Sequence, residues 1–430
     1  MLAALLAGCG DPPDVDTTAA NGDAVNLDFR VWSYGVETVQ DNIANFEAEH
    51  PGVTVALSDH SWEDYATVIA TAFTGDNAPD VLYSSDHWLQ QWAAAGWLAP
   101  IDEHCPDLAA DQGDWAPYAR EGMTLDGDLY GLPYYADLIT FVYNAALAEE
   151  AGFAEPPGTL DELREQALAV KEQGGIDFPV VIPLARDDPW VIENFYAMVY
   201  AEGGDLFVDG EPAFTEAGGP AERVLQWLHD ARNEWEILDP ASFEVTEADV
   251  ATTMPEGQHV YSILPKYTLA ELNGGTGPET GNFELALMPG EENATTGFVR
   301  FYALSSAAVE RGPEVVDAAC DFLRYHGSET DGEHIVVKRW ALEFGLGFAN
   351  LPLYEDDEVA EAINAWGDVE LERQQSEKAY AKQGLTPYWA DWDVHSREQL
   401  QEAILGRVSA SEALQNMADR WEQLRDEHEA

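Results

Sequence analysis

Basic residues are few in this sequence. It carries 20 Lys and Arg, five of them Lys, against 81 Asp and Glu, a formal net charge of −61 over 430 residues. A surface so poor in cations is a poor partner for nucleic acid or for anionic lipid. It also repels itself, which opposes the compact state. That repulsion is tolerable where salt shortens the Debye length to about 3 Å, near 1 M, so the composition reads as an adaptation to molar salt. Disorder, the other home of such charge, is excluded by a content of 46% hydrophobic and 11% aromatic residues. Cysteine is scarce too: Cys9, Cys105 and Cys320 form neither a disulfide framework nor a zinc spacing. Cys105 and Cys320 read as two buried thiols, with pairing as the alternative if their segments meet. No run of about 18 apolar residues is present, so no membrane-spanning helix is expected.

Catalytic fingerprints are also missing. The sequence holds no GxSxG, HExxH, P-loop or Rossmann glycine pattern. Its ten His are scattered. Among 81 acids, paired carboxylates arise by chance, so glycoside hydrolysis cannot be argued from spacing.

The N-terminus, MLAALLAGCG, ends an apolar stretch in Leu6-Ala7-Gly8-Cys9, which is similar to a lipobox with Cys9 as the lipidated residue. The stretch lacks the basic n-region and the length of an export signal, which points to a start codon placed too late. Residues 1–9 are thus a residual lipoprotein signal, and the small, acidic residues 10–26 a flexible tether. One acyl chain binds membranes weakly, so stable anchoring needs more than one.

Downstream, Leu27–Tyr34 alternates as a strand and Asp41–His50 follows as a helix broken by Pro51-Gly52. Val53–Leu57 is a second strand, Asp64–Thr74 a helix and Asp80–Tyr83 a third strand. This alternation predicts an α/β fold with a helix-covered, mainly parallel sheet, whose ligands gather at the carboxyl ends of its strands. Gly127–Asn144 reads as a long strand containing Pro133, and Phe298–Leu304 as another. Thr159 with Glu162, and Ser409 with Glu412, read as capping boxes opening helices.

Several motifs then occur in order: PDVLYSSDHWLQQWAAAGWLAPID at 79–102, LYGLPYYADLITFVYN at 129–144, and EEAGFAEPPGTLDELREQA after it. AEGGDLFVD at 201–209, MPEGQHVYSIL at 254–264 and the terminal GRVSASEAL complete the series. Together they resemble the extracellular solute-binding proteins of ABC importers, in the carbohydrate-binding, maltose-binding-protein-like group, here of haloarchaeal type. The resemblance spans nearly the whole chain after the tether. It implies a two-lobed fold of the type II periplasmic-binding class, with lobe 1 at 27–135 plus 300–350 and lobe 2 at 136–299 plus 351–430. The chain would cross near Pro133–Asp137, Phe298–Tyr302 and Asn350–Tyr354. It implies no catalysis and no cofactor. The partners would be a sugar held between closing lobes and the permease subunits with their ATPase, at the extracellular face of the membrane, by a lipid-anchored monomer. Two segments depart from the family. Thr296–Ser305 carries the bulky Arg300 where small residues are usual, and LPKYT replaces a usual Gly-x-Trp, so substrate identity does not carry over.

A sugar offers hydroxyl edges and apolar ring faces, which call for carboxylates and aromatic rings. Ser33 and Tyr34 end the first strand, and Trp62 precedes the second helix. Asp86 follows the third strand, as a hydroxyl acceptor or a helix N-cap. Tyr135 and Asp137 lie on the crossing strand, with core packing and a solvated surface acid as their alternatives. Trp190, Tyr267 and one of Tyr388, Trp389 and Trp392 are the stacking candidates, or else core. Arg300, like Lys266, would contact an anionic sugar or pair with a nearby acid. Other solutes remain as alternatives: a glycerophosphodiester, a polyamine, a peptide, or ferric ion at Tyr134-Tyr135. Adjacent strand residues face opposite ways, which disfavours the last. A secreted glycoside hydrolase is the remaining alternative.

Overall fold

The computed structural model describes residues 24–75, 77–330 and 332–429. The lipobox with Cys9 and the tether as far as Asp23 lie outside the described residues. The first strand, β1 (Val25–Trp32), begins inside the expected tether. It pairs in parallel with β2 (Val53–His60) and with β3 (Val81–Ser85). Helices Val36–Glu49 and Trp62–Thr74 connect them, as the alternation predicts. The side chain of Ser61 caps the second helix by accepting from Asp64 N at 3.3 Å.

Two long strands then tie the molecule together. β4 (Gly131–Asn144) is buried at every position. Its first half pairs with a later strand, which also lies antiparallel on β3; its second half pairs antiparallel with β5 (Tyr261–Pro265) and β6 (Phe283–Ala286). That later strand is β7 (Thr295–Leu304), and its start pairs with β8 (Ala379–Tyr380). One half of the molecule is therefore built on β2-β1-β3-β7 and the other on β5, β6 and the far end of β4. In the second half these ladders are antiparallel, and parallel pairing there comes from the single bridges Val180–Leu238 and Val180–Tyr261. β4 enters from the first half and so runs against the strands it meets.

Pro133 sits inside β4 without breaking it. Register jumps from Arg300↔Tyr135 to Phe301↔Pro133, a bulge that leaves Tyr134 unopposed. Proline is tolerated at such an irregularity because a ladder bond is already lost there. The bulge also lets Tyr134 stack on Tyr302, with ring centroids 4.4 Å apart, in the first half's core.

A third segment passes the same place. Ala136 N donates to Gly347 O at 3.3 Å and Ala116 N to Ala349 O at 2.8 Å. Gly347 has no side chain because a Cβ there would collide with the Ala136 carbonyl. One large apolar core runs through both halves, with two satellite clusters beside it. Among the described residues no helix is long and apolar enough to cross a membrane.

The cysteines differ from the two-thiol expectation. Cys105 and Cys320 form a disulfide, with Cα atoms 5.7 Å apart. The segments do meet, because the helix Pro313–Gly327 packs back on the first half beside the loop that carries Cys105. The capping signals hold in part. Thr159 Oγ1 accepts from Glu162 N at 3.2 Å, but Glu162 turns to Gly158 N instead of closing the box. Ser409 Oγ likewise accepts from Glu412 N.

Candidate ligand-binding crevice

The two halves face each other across β4 and β7. On the first half, the turn after β1 presents Tyr34, whose ring stacks on Trp32 with centroids 4.9 Å apart. Trp62 lies edge-on to Trp32 at 5.3 Å. Both are only partly buried, so their rings stay available. Burial pushes the Tyr34 hydroxyl up to about 12, with Glu271 and then Asp137 adding to it. Glu271 belongs to the helix Thr268–Gly274 of the second half, so Tyr34 looks across the gap.

On the second half, Trp190 opens the helix Trp190–Ala201. Its Nε1 donates to Glu247 Oε2 at 2.6 Å, and Tyr267 donates to Glu247 Oε1 at 3.4 Å. One carboxylate thus orients two aromatic rings. Thr246 and Asp249 form a capping box that fixes the short helix Glu247–Thr253. Asp188, beside it, is pushed up to about 7 by burial, then by Glu247. Between the halves, Phe298 meets Trp190 at 6.0 Å. The Arg300 guanidinium lies 4.8 Å over Phe298 and 6.0 Å from Trp62, a cation–π arrangement.

Two buried ion clusters flank these rings. In the first, Asp86 accepts from Arg300 Nη1 at 2.8 Å and pairs with Lys382 at 3.0 Å. Lys382 also donates to Glu193 at 2.7 Å, and His87 Nε2 lies 2.9 Å from Glu193 and in contact with Lys382. Trp389 stacks on the His87 ring at 5.1 Å. Burial alone would raise the Glu193 carboxyl, but Lys382 and His87 outweigh it and hold it at about 2. In the second cluster, Lys266 pairs with Glu372 at 3.2 Å and donates to Gly345 O at 3.1 Å. Asp137 accepts from its own Leu138 N and from Gly347 N, tying β4 to the third crossing. Burial raises Asp137 to about 6; Lys266 opposes that rise and Glu372 adds to it.

The sequence-derived candidates therefore divide. Tyr34, Trp62, Tyr135, Asp137, Trp190, Tyr267 and Arg300 meet along this seam. Ser33 is exposed beside it and donates to Asp59 at 2.6 Å. Asp86 is neither free nor an N-cap: its carboxylate is consumed by Arg300 and Lys382. Trp389 reaches the seam only through His87. Two placements are corrected. Trp392 is fully buried against Phe207 and Trp421 and donates to Met417 O. Tyr388 packs on Trp421 and His428. Both face the helix Ala410–Glu429, whose apolar stripe needs cover. Arg300 and Lys266 pair with acids, the second of the two roles expected of them. Sequence reasoning missed His87, Glu193, Glu247, Glu271, Glu372 and Lys382. The scarcity of Lys singled out Lys266 and applied equally to Lys382; the acids carry no signal among 81.

Two α/β halves sharing crossing strands, with aromatic rings and carboxylates facing across the join, define a two-lobed binding protein of the type II periplasmic class. The fold matches maltose-bound MalE3 of T. maritima with a TM-score of 0.79 at 19% identity, covering 93% of this chain and 100% of that one. The chain belongs to the bacterial extracellular solute-binding protein family, whose model matches residues 32–332. It is similar to the diacetylchitobiose binding protein DasA of Streptomyces coelicolor, 25% identical over 79% of this chain and 80% of that protein. It is also similar to the maltotriose-binding protein of Pyrococcus abyssi, 33% identical over 44% of this chain and 38% of that protein. The chain spans about two fifths of the length of that relative and of curated relatives from Brucella abortus.

Proposed function

We propose that this protein is the substrate-binding component of an ABC transporter, that it holds a sugar or oligosaccharide between its lobes, and that it catalyses nothing. The observation that carries the reading is the pair of aromatic walls. Tyr34 and Trp62 face Trp190 and Tyr267 across a gap bordered by Glu247, Glu271 and Asp137. Rings for apolar sugar faces and carboxylates for hydroxyls are the pairing a carbohydrate needs. The relatives named above, binders of maltotriose and diacetylchitobiose by their names, support the same class.

In this reading lobe 1 comprises 27–135 plus 300–350 and lobe 2 comprises 136–299 plus 351–430, hinged where β4, β7 and Gly345–Tyr354 cross. Ligand biases an open–closed equilibrium because it touches both walls only when they approach. The protein is a monomer held outside the cell by lipid on Cys9, works in molar salt, and delivers its ligand to permease subunits. The test is a thermal-shift and tryptophan-fluorescence screen in molar KCl of mono-, di- and oligosaccharides, glycerophosphodiesters, polyamines and peptides. A sugar that raises the midpoint and shifts the emission supports the reading. A response to a polyamine or peptide alone replaces it, and turnover of chromogenic glycosides would make the protein an enzyme.

A further inference from the structure

The Asp86–Arg300–Lys382–Glu193–His87 cluster has a division of labour that the aromatic walls lack. Asp86 and His87 open the helix Asp86–Ala94, which follows β3 in the first half. Arg300 lies on β7 opposite Tyr135 and next to β3. Glu193 lies on the helix Trp190–Ala201, and Lys382 follows β8, both in the second half. Within the first half Asp86 pairs with Arg300, and within the second Glu193 pairs with Lys382. Each half is therefore neutral by itself. Separating the halves leaves no lone charge buried, so this contact is reversible where most buried ion networks are not.

The bonds that cross are Lys382 to Asp86 at 3.0 Å, His87 to Glu193 at 2.9 Å, the His87–Lys382 contact and the Trp389 ring on His87. They are sealed from solvent: the Lys382 side chain is 0% exposed and those of Asp86 and Glu193 2%. By contrast Tyr34, Trp62, Trp190 and Tyr267 stay partly exposed. Solvent thus reaches the aromatic section and is kept from the His87 end. Arg300, a bulky side chain pinned by Asp86 between Trp62 and Phe298, stands at the border.

The geometry points to a clasp: His87 and Asp86 on one lobe and Glu193, Lys382 and Trp389 on the other close that end of the crevice without touching ligand, and so limit how long a sugar the crevice can take. A longer glycan would have to run into the cluster and part the crossing bonds Lys382–Asp86 and His87–Glu193, so the closed state would lose what they contribute. The clasp adds to the closed state with or without ligand, so it slows release, and it slows capture too to the extent that it holds the ligand-free crevice shut. The size limit rests on the sugar-binding reading above; the clasp does not.

The experiment uses the full chain in molar KCl, with glucose, maltose, maltotriose, maltopentaose and chitobiose as probes. Small-angle scattering of the ligand-free protein reads the clasp, and stopped-flow tryptophan fluorescence reads association and release. The wild type is expected to be compact, with affinity that stops rising before maltopentaose. His87→Ala, whose folding is checked by its unfolding midpoint, is expected to enlarge the ligand-free radius of gyration. It should also release the disaccharide about tenfold faster, and capture it no more slowly than the wild type because the ligand-free crevice then opens more often. Trp389→Leu removes the stacking partner from the other lobe and must move both readouts the same way. The clasp is overturned if both variants keep wild-type dimensions and release rates. The size limit is overturned if maltopentaose binds the wild type about tenfold tighter than maltotriose. If none of these sugars binds the wild type, the sugar reading fails, and the scattering comparison still decides the clasp.

Discussion

Replacing Asp137 by Asn should make the ligand-free protein more stable at neutral pH and leave it unchanged in acid. Asp137 is 1% exposed, and burial carries its carboxyl from 3.8 up to about 6 against the pull of Lys266. A raised carboxyl pKa means the folded state holds a proton that the unfolded chain has already lost. Stability therefore falls as pH rises from about 4 to about 6, and the full cost is present above that window. About 2 pH units correspond to about 3 kcal/mol at 1.36 kcal/mol per unit. Asparagine keeps one oxygen, for Leu138 N at 2.9 Å, and gives up the longer bond from Gly347 N at 3.4 Å, which goes to the second carboxylate oxygen; that loss subtracts from the gain. Lys266 keeps Glu372 at 3.2 Å, so its charge stays paired. The gain at pH 7.5 should thus be positive and at most about 3 kcal/mol. Urea unfolding in molar KCl from pH 4 to pH 8, wild type beside Asp137→Asn, measures it. The reasoning fails if the difference between the two is constant across that range, or if the variant is the weaker protein above pH 6. The same substitution should weaken sugar binding, if the carboxylate takes a hydroxyl.

Trp190→Ala should cost sugar affinity about tenfold or more, since it removes a stacking face and leaves Glu247 held by Tyr267 alone of the two rings; titration calorimetry reads it, and an unchanged affinity would remove Trp190 from the site. Reducing the Cys105–Cys320 bond, or replacing both residues by Ser, opens a 215-residue link and should cost about 2–5 kcal/mol in urea unfolding. Dialysis from 2 M to 0.1 M KCl should unfold the chain as the Debye length grows from about 2 to about 10 Å; circular dichroism that does not change would end the molar-salt inference.

The first three strands and their two helices were legible because most have their own punctuation. Pro51-Gly52 stops the first helix and alternation marks β1 and β2, whereas the sequence reading misses the Ser61 cap and begins the second helix at Asp64, two residues late. β4 was legible as a strand despite Pro133, but the bulge that accommodates the proline depends on β7, more than 160 residues on, and no local pattern announces it. The aromatic walls were found by residue type. Trp190, Tyr267 and Trp62 stand at helix starts, where a ring reaches into a gap between sheets. Tyr388 and Trp392 looked equivalent to them and are not, because the terminal helix buries Trp392 and takes up the ring of Tyr388 on Trp421. Which face of an aromatic-rich helix is covered by another helix is a tertiary fact. The ion clusters were the least legible. Asp86 and Glu193 are single acids in a chain that has 81, and only their burial beside Lys382 distinguishes them.

That burial gives the extreme charge its structural sense. Of five Lys, Lys266 and Lys382 are 2% and 4% exposed, and each neutralises acids beside the crevice. Arg300, 8% exposed, does the same. Exposed acids can be left to dissolved cations, because a Debye length of about 3 Å at 1 M screens them. Buried acids cannot, since ions do not enter a dry site. Lys266, Lys382 and Arg300 therefore sit where dissolved salt could not replace them, and in molar salt the crevice would keep its electrostatics while the surface charge is screened. It follows that the release rate set by His87 and its partners should vary little between 1 M and 3 M KCl, where overall stability still changes. A release rate that tracks salt as steeply as the unfolding free energy would place the cluster in contact with solvent and remove the distinction.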